Sequence, residues 1–328
     1  MPRVSAVLAA LCLALAACGG DSGDSSEEPR TQSSEQAPAT KVEFPEGGNK
    51  TMRALRSMAP EKGVFAPSVS QLRAGSNRIG FALFDLSQKQ LEPEAVAVYV
   101  ADAGGRNLRG PFEARKESLR VSSQFMSRQT AADLDDVDSF WVADVELPRK
   151  GSYVLTALAS LEGSLASMSQ FELRAGARGG PPDVGEDAIR VNTDTVESAG
   201  GDLESIDTRI PPLADLHEKD LADVLGKEPV VLAFATPQLC QTRVCGPVVD
   251  VVAEVKNSVG DGVTFIHQEI YNENDINQGF RPQVGRWRLP TEPWTFLISR
   301  DGKIVDRFEG AISVAELERA VAKLKSAS

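Results

Sequence analysis

Cys240 and Cys245 are the residues of this chain with the clearest capacity for chemistry. Cys240 follows an apolar run of strand length, 230–235, by five residues, and Cys245 opens a segment whose valines recur at helical spacing. The start of a helix presents unpaired backbone N–H groups and the positive end of the helix dipole, and both favour a thiolate. A thiolate is the nucleophile of thiol–disulfide exchange, and a second cysteine resolves the mixed disulfide. The pair therefore indicates a redox site, with Cys240 attacking and Cys245 resolving.

The spacing of the pair leaves its geometry open. Four residues separate the two cysteines. On a regular helix, residues five apart have Cα atoms roughly 8–9 Å apart, whereas a disulfide needs less than about 7 Å. Either Cys240 lies in the loop before the helix, or the first helical turn unwinds, or the pair never bridges.

Four further side chains near the cysteines or on the following strands have two interpretations each. Glu269 and Glu292 are candidates for a buried acid that assists proton transfer, although surface positions are the usual place for glutamate. Trp287 and Trp294 are candidates for the wall of a substrate groove, and packing in the core is an equal alternative.

The elements that must position these residues follow from hydrophobic periodicity in the last third of the chain. Helical spacing and capping signals predict helices over 216–225 (capped by Asp215), 248–259 and 313–324, the last with a capping box of Ser313 and Glu316. Apolar runs predict strands over 230–235, 263–270, 294–298 and 303–308. The order is a β-α-β unit, a hairpin and a helix, so the first two strands should be parallel.

The middle of the chain has a different pattern. Apolar residues alternate with period two in several short runs over 61–175, separated by turn residues, which predicts an all-β sandwich of the immunoglobulin-like kind. This region has no cysteine and no histidine, and we assign it a role in recognition or spacing. A segment rich in Gly, Pro and Asp, 176–212, is predicted to be a linker. The fold class is thus multi-domain, with an all-β part followed by an α/β part.

The N-terminus has the pattern of an export signal. Arg3 precedes an uncharged apolar run that is too short to span a bilayer, and the run ends in Leu15, Ala16, Ala17 and Cys18. This ending resembles the lipobox of bacterial lipoproteins, which implies a signal peptide over 1–17 and an acylated Cys18 as the first mature residue. Residues 18–60 are rich in Ser, Gly, Glu, Pro and Gln, and we predict a disordered stalk there.

If the chain is exported, the number of cysteines indicates which of them can form a disulfide. Four cysteines are present, of which Cys12 would be removed with the signal peptide and Cys18 would carry lipid. Cys240 and Cys245 remain, in a compartment where disulfides form and persist. We therefore predict a disulfide between them and place the protein at the cell membrane, lipid-anchored on the extracytoplasmic side.

The last third of the chain resembles the thioredoxin superfamily, in particular the exported TlpA-type oxidoreductases. The run from Pro293 to Gly302, Pro-Trp-Thr-Phe-Leu-Ile-Ser-Arg-Asp-Gly, is similar to a run of that family, and Pro247 matches its proline after the cysteines. The resemblance covers about 213–326, within a predicted domain 213–328, and implies a thioredoxin fold with Pro293 in a cis peptide bond against the cysteine pair. Leu239 stands where the family has a tryptophan, and the cysteine spacing is longer than in thioredoxins.

Two relatives of the same fold suggest other chemistry. Peroxiredoxins of the bacterioferritin-comigratory type share the cysteine spacing, but Thr236 lies one residue too far from Cys240 and the peroxidase arginine is missing. Sco-type copper proteins hold copper with two cysteines and a histidine, which suits Cu(I). His217 and His267 are the two histidines; a structural role is favoured for His267 and a solvated position for His217.

The net charge of the chain limits the classes of partner that it can bind. The net charge is −12 and the pI about 4.9, so the basic surface that nucleic acids require is missing. We predict thiol–disulfide exchange on exported protein thiols and disulfides, with an unidentified redox partner, no cofactor and no resident metal. The alternatives are a non-enzymatic binding or assembly lipoprotein with a structural disulfide, and a Sco-like copper carrier.

Overall fold

The computed structural model describes residues 42–132, 137–176, 179–240 and 244–327. The predicted signal peptide, Cys18 and the stalk as far as residue 41 lie outside the described residues. Among the residues described, no helix is both long and apolar enough to cross a membrane.

Eight strands form the first half of the fold, within the range 61–175 over which period-two alternation predicts an all-β part. They are β1 Glu61–Pro67, β2 Gly75–Phe84, β3 Ala95–Asp102, β4 Arg109–Ser118, β5 Ser139–Leu147, β6 Gly151–Leu161, β7 Ser164–Met168 and β8 Phe171–Ala175. Hydrogen bonds join them in the order β3-β4-β5-β2-β1-β7-β6-β8, and a further pairing of β3 with β6 closes the sheet on itself. The apolar side chains of the alternating runs, such as Ile79, Phe81 and Leu83, fill the enclosed core.

Packing begins earlier in the chain than the predicted end of the stalk at residue 60. Helix α1, Met52–Arg56, is capped by Thr51, whose side chain accepts from the Ala54 N–H. Met52 and Leu55 are buried against β3, which is why β3 is buried on both faces. The predicted stalk therefore includes at least one packed helix.

The predicted linker is also packed. A short helix α2, Arg128–Ala132, follows β4. Among the described residues of the predicted linker 176–212, the one helical element is a 3-10 turn at Leu203–Ser205. Nevertheless Asp207, Thr208 and Arg209 are all buried. We call residues 207–213 the lead-in segment; its composition predicts a loop, but its polar side chains are hydrogen-bonded inside the protein.

The second sheet has four strands, close to the predicted ones: β9 Val230–Phe234, β10 Thr264–Gln268, β11 Trp294–Ile298 and β12 Ile304–Glu309. Their order is β10-β9-β11-β12. β9 and β10 are parallel, as predicted, whereas β11 is antiparallel to both β9 and β12. All five residues of β9 are buried because apolar cores lie on both faces of the sheet.

Helices cover both faces of this sheet. α4, Cys245–Val259, and α6, Val314–Ala327, contribute to one core; the short helices α3, Leu221–Val224, and α5, Pro282–Trp287, contribute to the other. Further 3-10 turns lie at Ala214–Leu216, Asn272–Asn274 and Ile276–Gln278. The coarse architecture is thus an all-β sheet followed by a mixed sheet with helices.

The helix predicted over 216–225 is wrong in its extent. The segment is a 3-10 turn, then the backbone leaves helical geometry at His217, and α3 starts only after Asp220, whose side chain caps it by accepting from the Ala222 N–H. The break turns His217 inward, where it is fully buried. Local capping by Asp220 outweighs the periodicity that suggests one longer helix.

Candidate functional site

The loop between β9 and α4 carries the cysteine pair. β9 ends at Phe234, Cys240 lies in the loop, and Cys245 is the first residue of α4. Val244 occupies the N-cap position without a side-chain hydrogen bond to the helix. First-turn N–H groups of α4 therefore lack a side-chain cap beside the Cys245 thiol.

The two sulfurs lie close together in spite of the four residues between the cysteines. The sulfurs of Cys240 and Cys245 and a carboxylate oxygen of Glu292 all lie within 4.8 Å of one another. Both cysteines are present as thiols in this structure. Of the geometries that the spacing left open, the structure has the first, because Cys240 precedes the helix.

The two thiols differ in environment. Cys245 is fully buried, and burial together with the neighbouring Cys240 raises the pKa of its thiol well above the ordinary value, although the Thr236 backbone N–H donates to it. Cys240 is only half-buried at the rim of the same apolar core. Cys240 is therefore the more accessible thiol, and Cys245 is shielded by the core.

The pairing of β11 with β9 places Pro293 at the same edge of the sheet as the cysteine loop. The Glu292–Pro293 peptide bond is cis, as the resemblance implies. Trp294 pairs with Phe234, the last residue of β9. Pro293 therefore precedes β11 at the edge of the sheet from which the cysteine loop departs, and its carbonyl accepts from the Gly310 N–H at 2.9 Å.

Glu292 is half-buried beside the sulfurs rather than on the surface. Burial, reinforced by Cys240, raises the pKa of its carboxyl to about 7. The Tyr271 hydroxyl donates to Glu292 at 3.4 Å, and burial and Glu292 together raise the Tyr271 pKa to about 12. A carboxyl that changes protonation near neutrality next to a buried thiol is suited to accept and return a proton.

Glu269, expected at the surface, is also buried. It accepts hydrogen bonds from the Thr208 backbone N–H at 2.8 Å and from the Thr208 hydroxyl. That hydroxyl in turn accepts from the Gln238 N–H at 3.2 Å. Glu269 thus fixes the lead-in segment against the loop that carries Cys240.

His267 is buried in β10, as a structural histidine would be, whereas His217 does not lie where the sequence suggests. Both are fully buried, so the expectation of a solvated His217 is wrong. The rings are 5.2 Å apart between centroids, and each has a nitrogen 3.6 Å from an oxygen of Asp207. Within the described chain, the group that could join the two sulfurs in binding a metal is Glu292 and not His267. This arrangement does not favour the Sco-like copper site.

Asp207 itself was missed by sequence reasoning, as were Thr208 and Arg209. Burial alone would raise the pKa of Asp207, but His267, His217 and the Leu213 N–H outweigh it and hold the pKa below its ordinary value. Nothing in the spacing of this Gly- and Pro-rich stretch marks these residues as buried.

The tryptophans complete the core rather than a groove. Trp287 and Trp294 are 0% and 2% exposed. Both rings pack on Phe296 of β11, with centroids 4.7 and 5.6 Å from the phenylalanine ring. The interpretation of these residues as a substrate-binding wall is therefore not supported.

No family model and no curated protein matches this chain. Among solved structures, a thiol:disulfide interchange protein of the thioredoxin family from Chlorobium tepidum TLS is similar at 16% identity and a TM-score of 0.29, over 46% of this chain and 99% of that one. The filamin domain of Lin-41 is similar at 13% identity and a TM-score of 0.20, over 36% of this chain and 94% of that one. Both likenesses are weak.

Proposed function

We propose that this chain performs thiol–disulfide exchange through Cys240 and Cys245. The observation that carries the proposal is the approach of the two sulfurs to within 4.8 Å of each other and of the Glu292 carboxylate, at the start of a helix. One thiol is accessible and the other is buried. This is the division of labour that an attacking and a resolving cysteine need.

The residues support a balanced sequence of steps. The Cys240 thiolate attacks a substrate disulfide, and the leaving thiolate takes up a proton. The Cys245 thiol then loses its proton to Glu292 and attacks the Cys240 sulfur, which releases the second substrate thiolate. Two electrons pass from the protein dithiol to the substrate, and a protein disulfide remains; oxidation of a substrate dithiol is the reverse.

We also infer a fold for each of the two parts of the chain. We infer a thioredoxin fold for 213–328 from the sheet order and the helix after the first strand. For the eight-stranded part we infer a sandwich of the immunoglobulin-like kind, in which β1 and β4 each pair with strands on both sides of the core.

The cellular setting rests on the sequence of the N-terminus. We propose that Cys18 is lipidated, and that the lipid holds the protein on the extracytoplasmic side of the cell membrane. Its partners there would be exported proteins with thiols or disulfides, and a redox partner that restores the pair.

The first test is the redox equilibrium of the pair in a chain that carries Cys12→Ser and Cys18→Ser, so that only Cys240 and Cys245 react. In glutathione and dithiothreitol buffers we expect a reduction potential between about −120 and −270 mV, the range of known exchange proteins. Cys240→Ser should abolish insulin reduction, and Cys245→Ser should accumulate a mixed disulfide. A potential below about −300 mV, or full activity in Cys240→Ser, would instead identify a structural bridge in a binding or assembly lipoprotein.

A further inference from the structure

Asp207, His217 and His267 meet in the interior, as a group separate from that of Cys240, Cys245 and Glu292. Asp207 comes from the lead-in segment, His217 from the end of the 3-10 turn Ala214–Leu216, and His267 from β10. All three are at most 1% exposed. They include both histidines of the chain, and we call them the Asp-His-His cluster.

Backbone carbonyls determine which ring nitrogens carry hydrogen. His217 Nδ1 lies 3.1 Å from the Asp194 carbonyl oxygen, and His267 Nε2 lies 3.0 Å from that of Ala235. A carbonyl oxygen can only accept, so the nitrogen that faces it must be the N–H. In a neutral ring the other nitrogen then has a lone pair.

Those other nitrogens point at the carboxylate. His217 Nε2 and His267 Nδ1 are each 3.6 Å from an oxygen of Asp207 and have no hydrogen-bond partner in the described chain. The Asp207 oxygens accept from the Arg209 and Leu213 N–H groups at 2.8 and 2.9 Å, which fixes their orientation. When both rings are neutral, two lone pairs and a carboxylate face one another among buried groups, an arrangement that is costly unless a cation lies between them.

We propose that the Asp-His-His cluster binds one divalent transition metal ion of the zinc type. Imidazole and carboxylate are ligands that zinc prefers, at about 2.0–2.2 Å. Ligand atoms at the corners of a tetrahedron of that size are about 3.3–3.6 Å apart. His217 Nε2 lies 3.6 Å from one Asp207 oxygen and His267 Nδ1 lies 3.6 Å from the other, and one ligand atom from each of the three residues lies within 4.8 Å of the other two. In each ring the nitrogen that faces away from Asp207 donates its N–H to a backbone carbonyl, as metal-bound histidines do.

Such an ion would join three separate parts of the chain. It would tie the lead-in segment and the 3-10 turn to β10, and the Ala235 carbonyl that receives the His267 N–H immediately precedes Thr236, whose N–H reaches Cys245. The ion is therefore structural, and it stabilises the frame on which the cysteine loop is built. The proposal does not depend on exchange activity.

The test uses the full chain with all four cysteines replaced by serine, so that no thiol competes for metal. The protein is unfolded with chelator and refolded with Zn²⁺, Co²⁺ or chelator alone. We expect about one equivalent of zinc per chain after dialysis, a Tm higher by roughly 5–10 °C with zinc, and Co²⁺ absorption without a thiolate band.

Asp207→Asn and His267→Gln should lose the bound metal. Asp215→Asn, which changes an exposed acid nearby, should keep it.

The cysteine-free chain decides the outcome even if the cluster variants fail to fold. Absence of stoichiometric metal in it, with an unchanged Tm, would overturn the proposal. Zinc that binds only when the cysteines are present would overturn it as well and place the metal at Cys240, Cys245 and Glu292.

Discussion

The carboxyl of Glu292 has an environment that favours its neutral form. Its pKa is raised from an ordinary value of 4.5 to about 7 by burial, with Cys240 as the second cause. The folded state therefore holds the Glu292 proton over a pH range in which the unfolded state has released it. This difference couples the stability of the protein to pH.

We expect the favourable contribution of Glu292 to be complete below pH 4.5 and to be lost as the pH rises to about 7. The loss should be on the order of 1–2 kcal/mol, after allowance for the partial exposure of the group. Urea unfolding of the parent and of Glu292→Gln at a series of pH values would measure it. Glu292→Gln lacks the titrating carboxyl, so only the parent loses this contribution. The free energy of unfolding of Glu292→Gln should therefore rise relative to that of the parent between pH 4.5 and about 7.

Glu172→Gln serves as the control for that series. Glu172 is an exposed residue of β8, so its replacement should leave the pH dependence of the parent unchanged. A Glu292→Gln curve that runs parallel to the parent curve would show that Glu292 titrates normally in the folded protein.

At this scale the sequence predicts some of the site and misses the rest. Cys240, Cys245 and Pro293 are predicted because their chemistry and the resemblance mark them, and the structure brings the two sulfurs together. The exposure of Glu292 and His217 is predicted wrongly because charged and polar residues are usually at the surface. Only tertiary hydrogen bonds, which no local pattern encodes, reveal that they are buried.

Secondary structure elements were predictable where a long apolar pattern exists. The strand predicted over 294–298 matches β11, and the strand over 230–235 differs from β9 by one residue. Ser313 and Glu316 cap α6 reciprocally, as the capping box predicts. The lead-in segment was predicted as linker because its buried groups are polar, and a hydrophobic pattern cannot detect them.

One buried ion pair attaches the lead-in segment to the helix that carries Cys245. Arg209 donates to Asp250 of α4 at 2.8 Å, and the two side chains are 3% and 1% exposed. The Arg209 guanidinium also donates to the carbonyls of Pro211 and Phe125, while Asp250 accepts from the Ser127 N–H. Removal of one partner would leave a charge buried without its counterpart.

We therefore expect Asp250→Asn to lower the free energy of unfolding by about 3–5 kcal/mol. Asp215→Asn is the matched control, because Asp215 pairs with Lys256 of the same helix but is 52% exposed; its effect should be below about 1 kcal/mol. Chemical denaturation measures both. Equal effects of the two variants would show that burial adds nothing to the Arg209–Asp250 pair.

On the scale of the whole molecule, Glu316 of α6 connects the second sheet to the first. It is 3% exposed and accepts two hydrogen bonds from Arg78 of β2, at 2.8 and 2.7 Å, and one from Arg115 of β4 at 3.0 Å. Arg78 also donates to the Ala311 carbonyl at 2.8 Å. A single carboxylate thus caps a helix and holds two sheets together, so the two parts should unfold as one unit.

Replacement of Arg78 by methionine should separate that unit. The variant keeps an apolar side chain at position 78 but leaves Glu316 paired with the half-exposed Arg115 alone. A buried carboxylate that is poorly paired lowers the free energy of unfolding by about 3 kcal/mol. Calorimetry should show one transition for the parent and two for Arg78→Met. Arg120→Met, which removes an arginine that is 72% exposed and paired with Asp138, should keep the single transition. One transition at an unchanged Tm in Arg78→Met would mean that the other contacts between the two parts are sufficient to couple the sheets. Among these contacts is the apolar cluster of Phe140, Val142 and Leu119 with Val244 and Ala311.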